Sequence, residues 1–265
     1  MLLIGTSGYS YDDWRGRFYP ERLKKTEFLP FYADHFPACE INFTYYRPPD
    51  ARTLEAMVRK SGARVELVIK APAALTHERH GDEAQVARAL NVALTPVRDA
   101  GVLGGVLLQF PFSFHPTEEN SAYLRRLRDL MPDAPLVVEL RNARWVCEAT
   151  FDLLRQHRLA FCNVDEPRLE GLLPPLGVVT AEPGYVRFHG RNAAKWWRHE
   201  AAHERYDYLY TEAELEGWLP RLGGMQARAR KTYVFFNNHF QSKAVENARQ
   251  LRKLLEQLPP PAPGE

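Results

Sequence analysis

The chain has 265 residues, of which 45% are hydrophobic and 26% are charged, an ordinary balance for a globular protein with one large core. Its 35 basic and 33 acidic side chains leave a formal net charge of +2. A charge this close to zero argues against a protein that binds nucleic acid over its whole surface, although it is compatible with a local basic patch.

Eight short apolar runs recur along the chain, and we predict that they are strands. Val, Ile, Leu and Phe dominate them, which is typical of parallel strands that are covered by helices. The runs are Leu2–Gly5, Cys39–Phe43, Val65–Lys70, Val106–Phe110, Leu136–Leu140, Ala160–Val164, Tyr185–His189 and Tyr233–Asn237.

Most segments between these runs have the spacing and the start or stop signals of helices. The predicted helices are Thr26–His35, Thr53–Lys60, Glu83–Ala100, Glu118–Leu130, Thr150–His157, Glu212–Arg221 and Ser242–Leu258. The link between the sixth and seventh runs, residues 165–184, is rich in Pro and Gly, and we expect little helix in it.

Eight strand–helix units in a chain of about 250 residues are typical of one (β/α)8 barrel of the TIM type. We therefore predict an α/β fold with a single barrel domain over residues 1–258, irregular around strands six and seven, and a disordered Pro-rich tail over 259–265. An open doubly wound sheet is the alternative. Such a sheet usually begins with a Gly-rich turn, and Gly5–Gly8 is too short and too differently spaced for that signature.

The three cysteines, Cys39, Cys147 and Cys162, lack a metal-binding spacing and are interpreted as reduced thiols. The first residues enter a strand directly and lack the features of a signal peptide. No apolar run approaches the roughly 20 residues that span a bilayer. We therefore expect a cytoplasmic protein without membrane contact.

Polar side chains recur at alternate positions towards the ends of the predicted strands. Because successive side chains of a strand point to opposite faces, the apolar set should meet the helices and the polar set should face the barrel interior. Barrel active sites lie at the C-terminal ends of strands, where nearly all these polar groups occur. The side chains predicted to converge there are Glu40, Asn42, Lys70, Gln109, Glu139, Arg141, Asn163, Asp165, Arg187, His189 and Asn237.

Burying many polar groups is costly unless they pair or bind a ligand, so the pattern predicts a functional pocket. An ion-pair network that only plugs the top of the barrel is the alternative. The charged candidates favour an anionic or highly hydroxylated ligand, since cations slightly outnumber carboxylates. The cations are Lys70, Arg141, Arg187 and Arg191, and the carboxylates are Glu40, Glu139 and Asp165.

Aromatic residues follow several strands and extend the predicted binding set to Tyr9, Trp14, Tyr45 and Trp145. A long segment after strand seven, residues 190–210, contains further rings, among them Trp196, Trp197 and Tyr206. Long loops in compact domains are commonly functional. This segment either closes over the pocket as a lid or packs its rings onto the barrel.

A series of short motifs runs in order through nearly the whole chain. They are Gly5–Tyr9 with Trp14 and Phe18–Pro20, Glu40–Arg47, Gln109–Pro111, Glu139–Arg141 with Trp145, Arg187–Arg191, Tyr206–Tyr210 with Glu214–Leu215, and Phe235–Asn238. This set resembles the YecE-like family, domain of unknown function 72. The resemblance implies a barrel fold and supports the positions of the predicted site, but it implies no particular reaction. His239 departs from the family pattern, in which a small hydroxyl residue is expected.

An enzyme acting on a small phosphorylated or sugar-like substrate is the first functional hypothesis, with hydrolase, lyase and isomerase chemistry left open. Glu139 or Asp165 would exchange protons, together with His189, while Lys70 and the arginines would hold the anion. Lys70 is also a candidate for Schiff-base formation if burial lowers its pKa.

Two further hypotheses stay open. A metal-dependent hydrolase or isomerase would use Glu40, Glu139, Asp165 and His189 as ligands of a divalent ion, but no HxH pair supports them, and we predict no cofactor. A non-catalytic module for nucleotides or single-stranded nucleic acid would use Trp196–His199 and the basic stretch Arg221–Lys231. A glycosidase needs two carboxylates at a defined separation, which a sequence does not supply.

Overall fold

Eight parallel strands form a closed barrel in which they follow one another in chain order. The computed structural model describes residues 1–257, apart from the side chains of residues 202 and 203. The first strand pairs with the last, so the predicted (β/α)8 barrel is confirmed and the open doubly wound sheet is wrong. The strands are β1 Leu2–Ser7, β2 Ala38–Ile41, β3 Glu66–Lys70, β4 Leu103–Gln109, β5 Leu136–Glu139, β6 Leu159–Asp165, β7 Gly184–Phe188 and β8 Thr232–Phe236.

Helices pack outside this barrel between most strands. They are α1 Phe28–Ala33, α2 Ala51–Ser61, α3 Glu83–Ala93, α4 Thr95–Asp99, α5 Glu118–Leu130, α6 Glu148–Gln156, α7 Glu212–Glu216, α8 Leu219–Gln226 and α9 Lys243–Glu256. None of the helices in the described part is long and apolar enough to cross a membrane. The predicted tail over 259–265 lies outside the described residues, as does Leu258.

Two helices that were predicted as continuous are divided. The segment 83–100 forms α3 and α4, and the segment 212–221 belongs to α7 and α8. Pro96 and Pro220 each lie in the first turn of the second helix. Proline is tolerated there but cannot donate the backbone hydrogen bond that would continue a preceding helix.

The link between β6 and β7, residues 166–183, contains neither helix nor strand, all of its residues being described. An extended link cannot satisfy its own backbone, so side chains must do so. Asn163 Nδ2 donates to Val178 O at 2.9 Å, and Val178 N donates to Asn163 Oδ1 at 2.8 Å. Thr180 Oγ1 accepts from Phe161 N and donates to Leu159 O. The irregularity expected around strands six and seven is therefore present, and β6 itself holds the link in place.

The strand register decides which side chains face the interior, because paired residues of neighbouring strands point to the same side. Ser7 pairs with Glu40 across β1 and β2, and Gln109 pairs with Glu139 across β4 and β5. Val164 pairs with Arg187 across β6 and β7. Val164 therefore faces inwards, and Asp165, the next residue, faces outwards towards the helix layer.

Candidate functional site

A network of fully buried charges forms the floor of the barrel mouth. Arg187 on β7 reaches across the barrel, with Nη2 2.6 Å from Glu40 Oε1 and Nη1 2.5 Å from Glu139 Oε2. The hydroxyl of Tyr185 donates to the other oxygen of Glu40 at 2.8 Å. Buried charges are tolerated when they are paired and hydrogen-bonded in this way. Two carboxylates from opposite sides of the barrel thus share one guanidinium.

Glu139 has two further partners. Arg141 Nε lies 2.6 Å from Glu139 Oε1, and His189 Nε2 lies 3.2 Å from the same oxygen. Burial alone would raise the pKa of Glu139, but Arg141 and Arg187 outweigh it and hold that pKa well below its usual range. Glu139 is therefore an anion near pH 7. This charge state suits a role in positioning the arginines, whereas a proton donor would have to be protonated.

His189 is neutral near pH 7. Burial, followed by the charge of Arg141, lowers its pKa to about 3. Asn237 Nδ2 lies 3.0 Å from His189 Nδ1 and, as a donor, leaves Nε2 to carry the proton and donate to Glu139. The predicted proton carrier is thus held in one tautomer between two partners.

Two adjoining cavities of about 370 and 440 Å³ open above this floor at the C-terminal ends of the strands. Both are lined by Tyr46, Lys70, Gln109, Arg141 and Tyr206. The smaller one, the aromatic lobe, is also lined by Tyr45, His77, Pro111, Phe112, Leu172, Trp196, Trp197 and Arg205. The larger one, the amide lobe, is also lined by Tyr11, Asn42, Arg187, Asn237 and His239.

Cationic side chains line the two lobes, whereas no Asp or Glu does so among the residues that the structure describes. The cations are Lys70, Arg141, Arg187 and Arg205. Glu40 and Glu139 lie beneath them and are fully buried. A molecule in the lobes therefore meets positive charge directly and negative charge only through the intervening arginines.

Lys70 lies at the end of β3 with its Nζ 4.3 Å from the centre of the Tyr45 ring. Burial, followed by the charge of Arg187, lowers its pKa to about 8. His77 is close by, with its ring 5.0 Å from that of Tyr45 and its Nδ1 2.9 Å from Thr76 Oγ1. Burial, followed by the charge of Lys70, lowers the pKa of His77 to about 4. The aromatic lobe thus contains two nitrogen groups, Lys70 and His77, whose lowered pKa values make their conjugate acids lose a proton more easily than usual.

The segment after β7 forms part of the wall of both lobes. Trp196 is only 2% exposed, and its ring lies 5.9 Å from the Arg141 guanidinium. Tyr206 lines both lobes, while Trp197 is 52% exposed and its ring lies edge-on to Phe112. Trp196 is therefore a packed wall residue and is not free to stack on nucleic acid. Movement of this segment as a lid stays a prediction.

Most of the predicted side chains do converge on the mouth. Those brought together in the floor or the lobes are Glu40, Asn42, Tyr45, Lys70, Gln109, Glu139, Arg141, Arg187, His189 and Asn237. They come from β2, β3, β4, β5, β7 and β8 or the turns that follow them. Alternation along these strands therefore predicted which side chains converge, whereas their functional roles stay a prediction.

Asp165 was predicted to face the pocket, and this placement is wrong. Its carboxylate points outwards and accepts from Arg191 Nε and Nη2 at 2.7 Å, Tyr210 OH at 2.9 Å and Trp218 Nε1 at 2.7 Å. Arg191 is removed from the pocket by the same contacts, and its Nη1 donates to Glu214 at 3.0 Å. Asn163 faces outwards as well. The physical reason is that polar groups lie on the outer side of β6: the backbone of Val178 pairs with Asn163, and the side chains of Tyr210 and Trp218 donate to Asp165.

Three aromatic residues of the predicted binding set are packing residues. Trp14 is fully buried and donates from Nε1 to His239 O at 2.7 Å. Trp145 donates from Nε1 to Phe114 O at 2.6 Å. The Tyr9 carbonyl accepts from the Tyr19 hydroxyl at 2.5 Å. None of the three lines either lobe in the described part of the chain.

Two site residues were missed. Glu166 is fully buried, receives Arg141 Nη1 at 3.3 Å, and has a pKa that burial raises to about 7. It would have been found if Val164 had been assigned to the interior, since alternation then continues to Glu166. His77, which was not among the predicted site residues, is brought to the aromatic lobe by a π-helical turn over 74–78. The sequence carries no signal for that turn.

Metal-ligand geometry is absent from the described residues, in which no group of three or more His, Cys, Asp or Glu side chains is arranged to hold an ion. Glu40, Glu139 and Asp165, which were considered as ligands, are each paired with an arginine.

The closed barrel with a polar, cationic mouth defines a TIM-barrel protein. A family model described as "Protein of unknown function DUF72" matches residues 3–265, so the chain belongs to the DUF72 family, and the resemblance found in the motifs is confirmed.

The relatives support the same conclusion over their full length. The UPF0759 protein YunF of Bacillus subtilis (strain 168) is 31% identical over 271 residues, which cover 97% of this chain and 95% of YunF. The crystal structure of a DUF72 family protein (TM1631) from Thermotoga maritima MSB8 is 39% identical, with a TM-score of 0.90 over 97% of this chain and 100% of that one. A DUF72 family protein (EF0366) from Enterococcus faecalis V583 is 26% identical, with a TM-score of 0.87 over 100% and 99% of the two chains.

Proposed function

We propose that the protein is an enzyme that acts on a small anionic, sugar-like substrate bound across the two lobes. The observation that carries this proposal is the charge of the lining, which presents four cations and, within the described residues, no carboxylate. Arginine and lysine side chains recognise phosphate and carboxylate groups in this way.

The amide lobe supplies groups suited to hydroxyls. Asn42, Gln109 and Asn237 line it, and Asn42 Oδ1 is buried without a hydrogen-bond partner. A buried acceptor without a partner costs about 1–3 kcal/mol, which a hydroxyl of the substrate would recover by donating to it. The proposed substrate therefore places its anionic group towards Lys70 and Arg141 and its hydroxyls towards Asn42.

Lys70 and His77 are the groups proposed to exchange protons with the substrate. The pKa of Lys70 near 8 lets both protonation states exist around neutral pH, as acid–base catalysis requires. Glu139 and His189 are proposed to position Arg141 and Arg187 instead. The reaction is proposed to need no metal or organic cofactor.

The test is calorimetric titration of the protein with inorganic phosphate, a sugar phosphate and the corresponding neutral sugar. Lys70→Met should weaken binding of both anions about 10- to 100-fold, the expected loss of one charged hydrogen bond. Lys60→Met removes an exposed lysine at the end of α2 and should leave both affinities unchanged. Equal binding of the neutral sugar and the sugar phosphate would contradict the proposal, as would an equal loss in both variants.

A further inference from the structure

Lys70 lines both lobes of the barrel mouth. Among residues 1–257 it forms no ion pair with a carboxylate, and its Nζ lies against the ring of Tyr45. The carboxylates in the barrel interior are already paired with arginines. Glu40 pairs with Arg187, and Glu139 pairs with both Arg187 and Arg141. The ammonium form is stabilised locally by the face of Tyr45, a contact of about 0.5–2 kcal/mol.

The surroundings of Lys70 shift its protonation equilibrium towards the neutral amine. Burial and the positive charges of Arg187 and Arg141 lower the pKa of Nζ, and together they outweigh Glu139 and Glu40, which raise it. A lysine that is desolvated next to other cations is a stronger nucleophile near neutral pH, because more of it carries a free lone pair. The same arrangement leaves the amine at the junction of the lobes, next to where the proposed anion lies.

We infer that Lys70 forms a covalent imine with the carbonyl group of an anionic substrate. The inference rests on the proposed function and names its substrate class as an aldehyde or ketone that bears a phosphate or carboxylate. A cationic lobe would hold the anionic group while Nζ reaches the carbonyl carbon.

The step balances without a further reactant. The Nζ lone pair attacks the carbonyl carbon, the C–N bond forms, and the π electrons of the carbonyl move to oxygen, which takes up the first of the two Nζ protons. The resulting carbinolamine loses a proton from nitrogen and its hydroxyl as water, so that amine and carbonyl give imine and water. His77, neutral and in the same lobe, is the group placed to take the proton from nitrogen and return it to the leaving hydroxyl.

The experiment uses the full chain with pyridoxal 5′-phosphate, and unphosphorylated pyridoxal as the matched probe. Sodium borohydride reduces any imine to a stable amine, and peptide mass mapping locates it. A pKa near 8 gives Lys70 a free-amine fraction at pH 7 roughly 100-fold above that of an exposed lysine, so we expect labelling at Lys70 at least roughly tenfold faster than at Lys60. Inorganic phosphate should slow labelling by pyridoxal 5′-phosphate, and the rate at Lys70 should rise with pH around 8.

The outcomes of this experiment distinguish imine formation at Lys70 from the anion binding on which it rests. Lys70→Arg keeps the charge, so it should still bind phosphate but lose the label, whereas Lys60→Arg should keep the Lys70 label. If phosphate binds but Lys70 reacts no faster than Lys60, the imine is overturned and the anion site stands. If pyridoxal labels Lys70 as fast as its phosphate ester and inorganic phosphate gives no protection, the reactive amine is supported and the anion site is not.

Discussion

Asp165 accepts four hydrogen bonds although it lies on the outer side of the barrel wall. Two come from one arginine in the bidentate geometry that strengthens such pairs. The others come from Tyr210 and Trp218, so one carboxylate connects β6 to the segment after β7 and to the corner between α7 and α8. Its role in the structure is to join these three elements.

Asp165→Asn should therefore destabilise the protein and leave its ligand affinity intact. Removing one partner of a buried ion pair costs about 3–5 kcal/mol, and an amide cannot accept from all four donors. Urea denaturation should show this loss, while calorimetry should give a phosphate affinity within about twofold of the wild type. Asp133→Asn, in an exposed turn, is the control and should change neither quantity. If the variant had normal stability but weakened phosphate binding, Asp165 would contribute to the pocket and this prediction would be wrong.

At the scale of the elements, β6 is marked by an outer face whose polar side chains bond to the structure behind it. Cys162, Val164 and then Glu166 face inwards, while Asn163 and Asp165 face outwards. A strand covered by a helix meets an apolar surface whose backbone is already paired. A strand covered by an extended link has to supply hydrogen bonds to that link, and Asn163 does so in both directions.

This difference explains why the sequence predicts the barrel and most of its mouth but not the orientation of the polar side chains on β6. The order and number of strands follow from apolar runs, and the mouth follows from alternation wherever one face is apolar, as on β2, β3, β5 and β7. Alternation on β6 was misread because polarity was taken to mean interior, and an outward demand for hydrogen bonds gives the same pattern. The roles of Trp14 and Trp145 could not be predicted, since a ring in a loop serves packing and binding equally well before its neighbours are known.

Asn163→Ala should loosen the link over 166–183 without opening the barrel. Val178 would lose both of its hydrogen bonds to the side chain, which corresponds to about 1–3 kcal/mol locally. Hydrogen exchange measured by mass spectrometry should show faster exchange in the link and unchanged protection in β1 and β8. Asn91→Ala removes a single bond to Leu130 O and should leave the link protected. Equal exchange in the link of both variants would show that Asn163 does not hold it.

At the scale of the molecule, the barrel is closed by charges as well as by strand pairing. Glu40 and Lys70 belong to the first four strands, and Glu139, Arg141 and Arg187 belong to the last four. Arg187 crosses between the two halves to reach Glu40. Each half alone would expose the edges of two strands, and the first half would bury Glu40 without Arg187, which is strongly unfavourable.

A chain divided in the exposed turn between Pro132 and Asp133 should therefore fold only when both parts are present. Residues 1–132 and 133–265 expressed separately should lack a cooperative thermal transition, and the mixture should regain one together with phosphate binding. Replacing Arg187 by Met in the second part should prevent this recovery, whereas replacing Arg228, an exposed residue beyond α8, by Met should not. Cooperative unfolding of either part alone would show that the shared charges are dispensable for folding.

The Arg187 guanidinium, which joins Glu40 to Glu139, also determines when the barrel interior can be buried during translation. A ribosome delivers both carboxylates long before it delivers residue 187, so the growing chain holds two anions whose common cation has not yet been made. Collapse of the first strands around those anions is disfavoured until the seventh strand arrives. The charge floor thus postpones burial to the last third of translation, and a prematurely terminated chain stays open to cellular proteases.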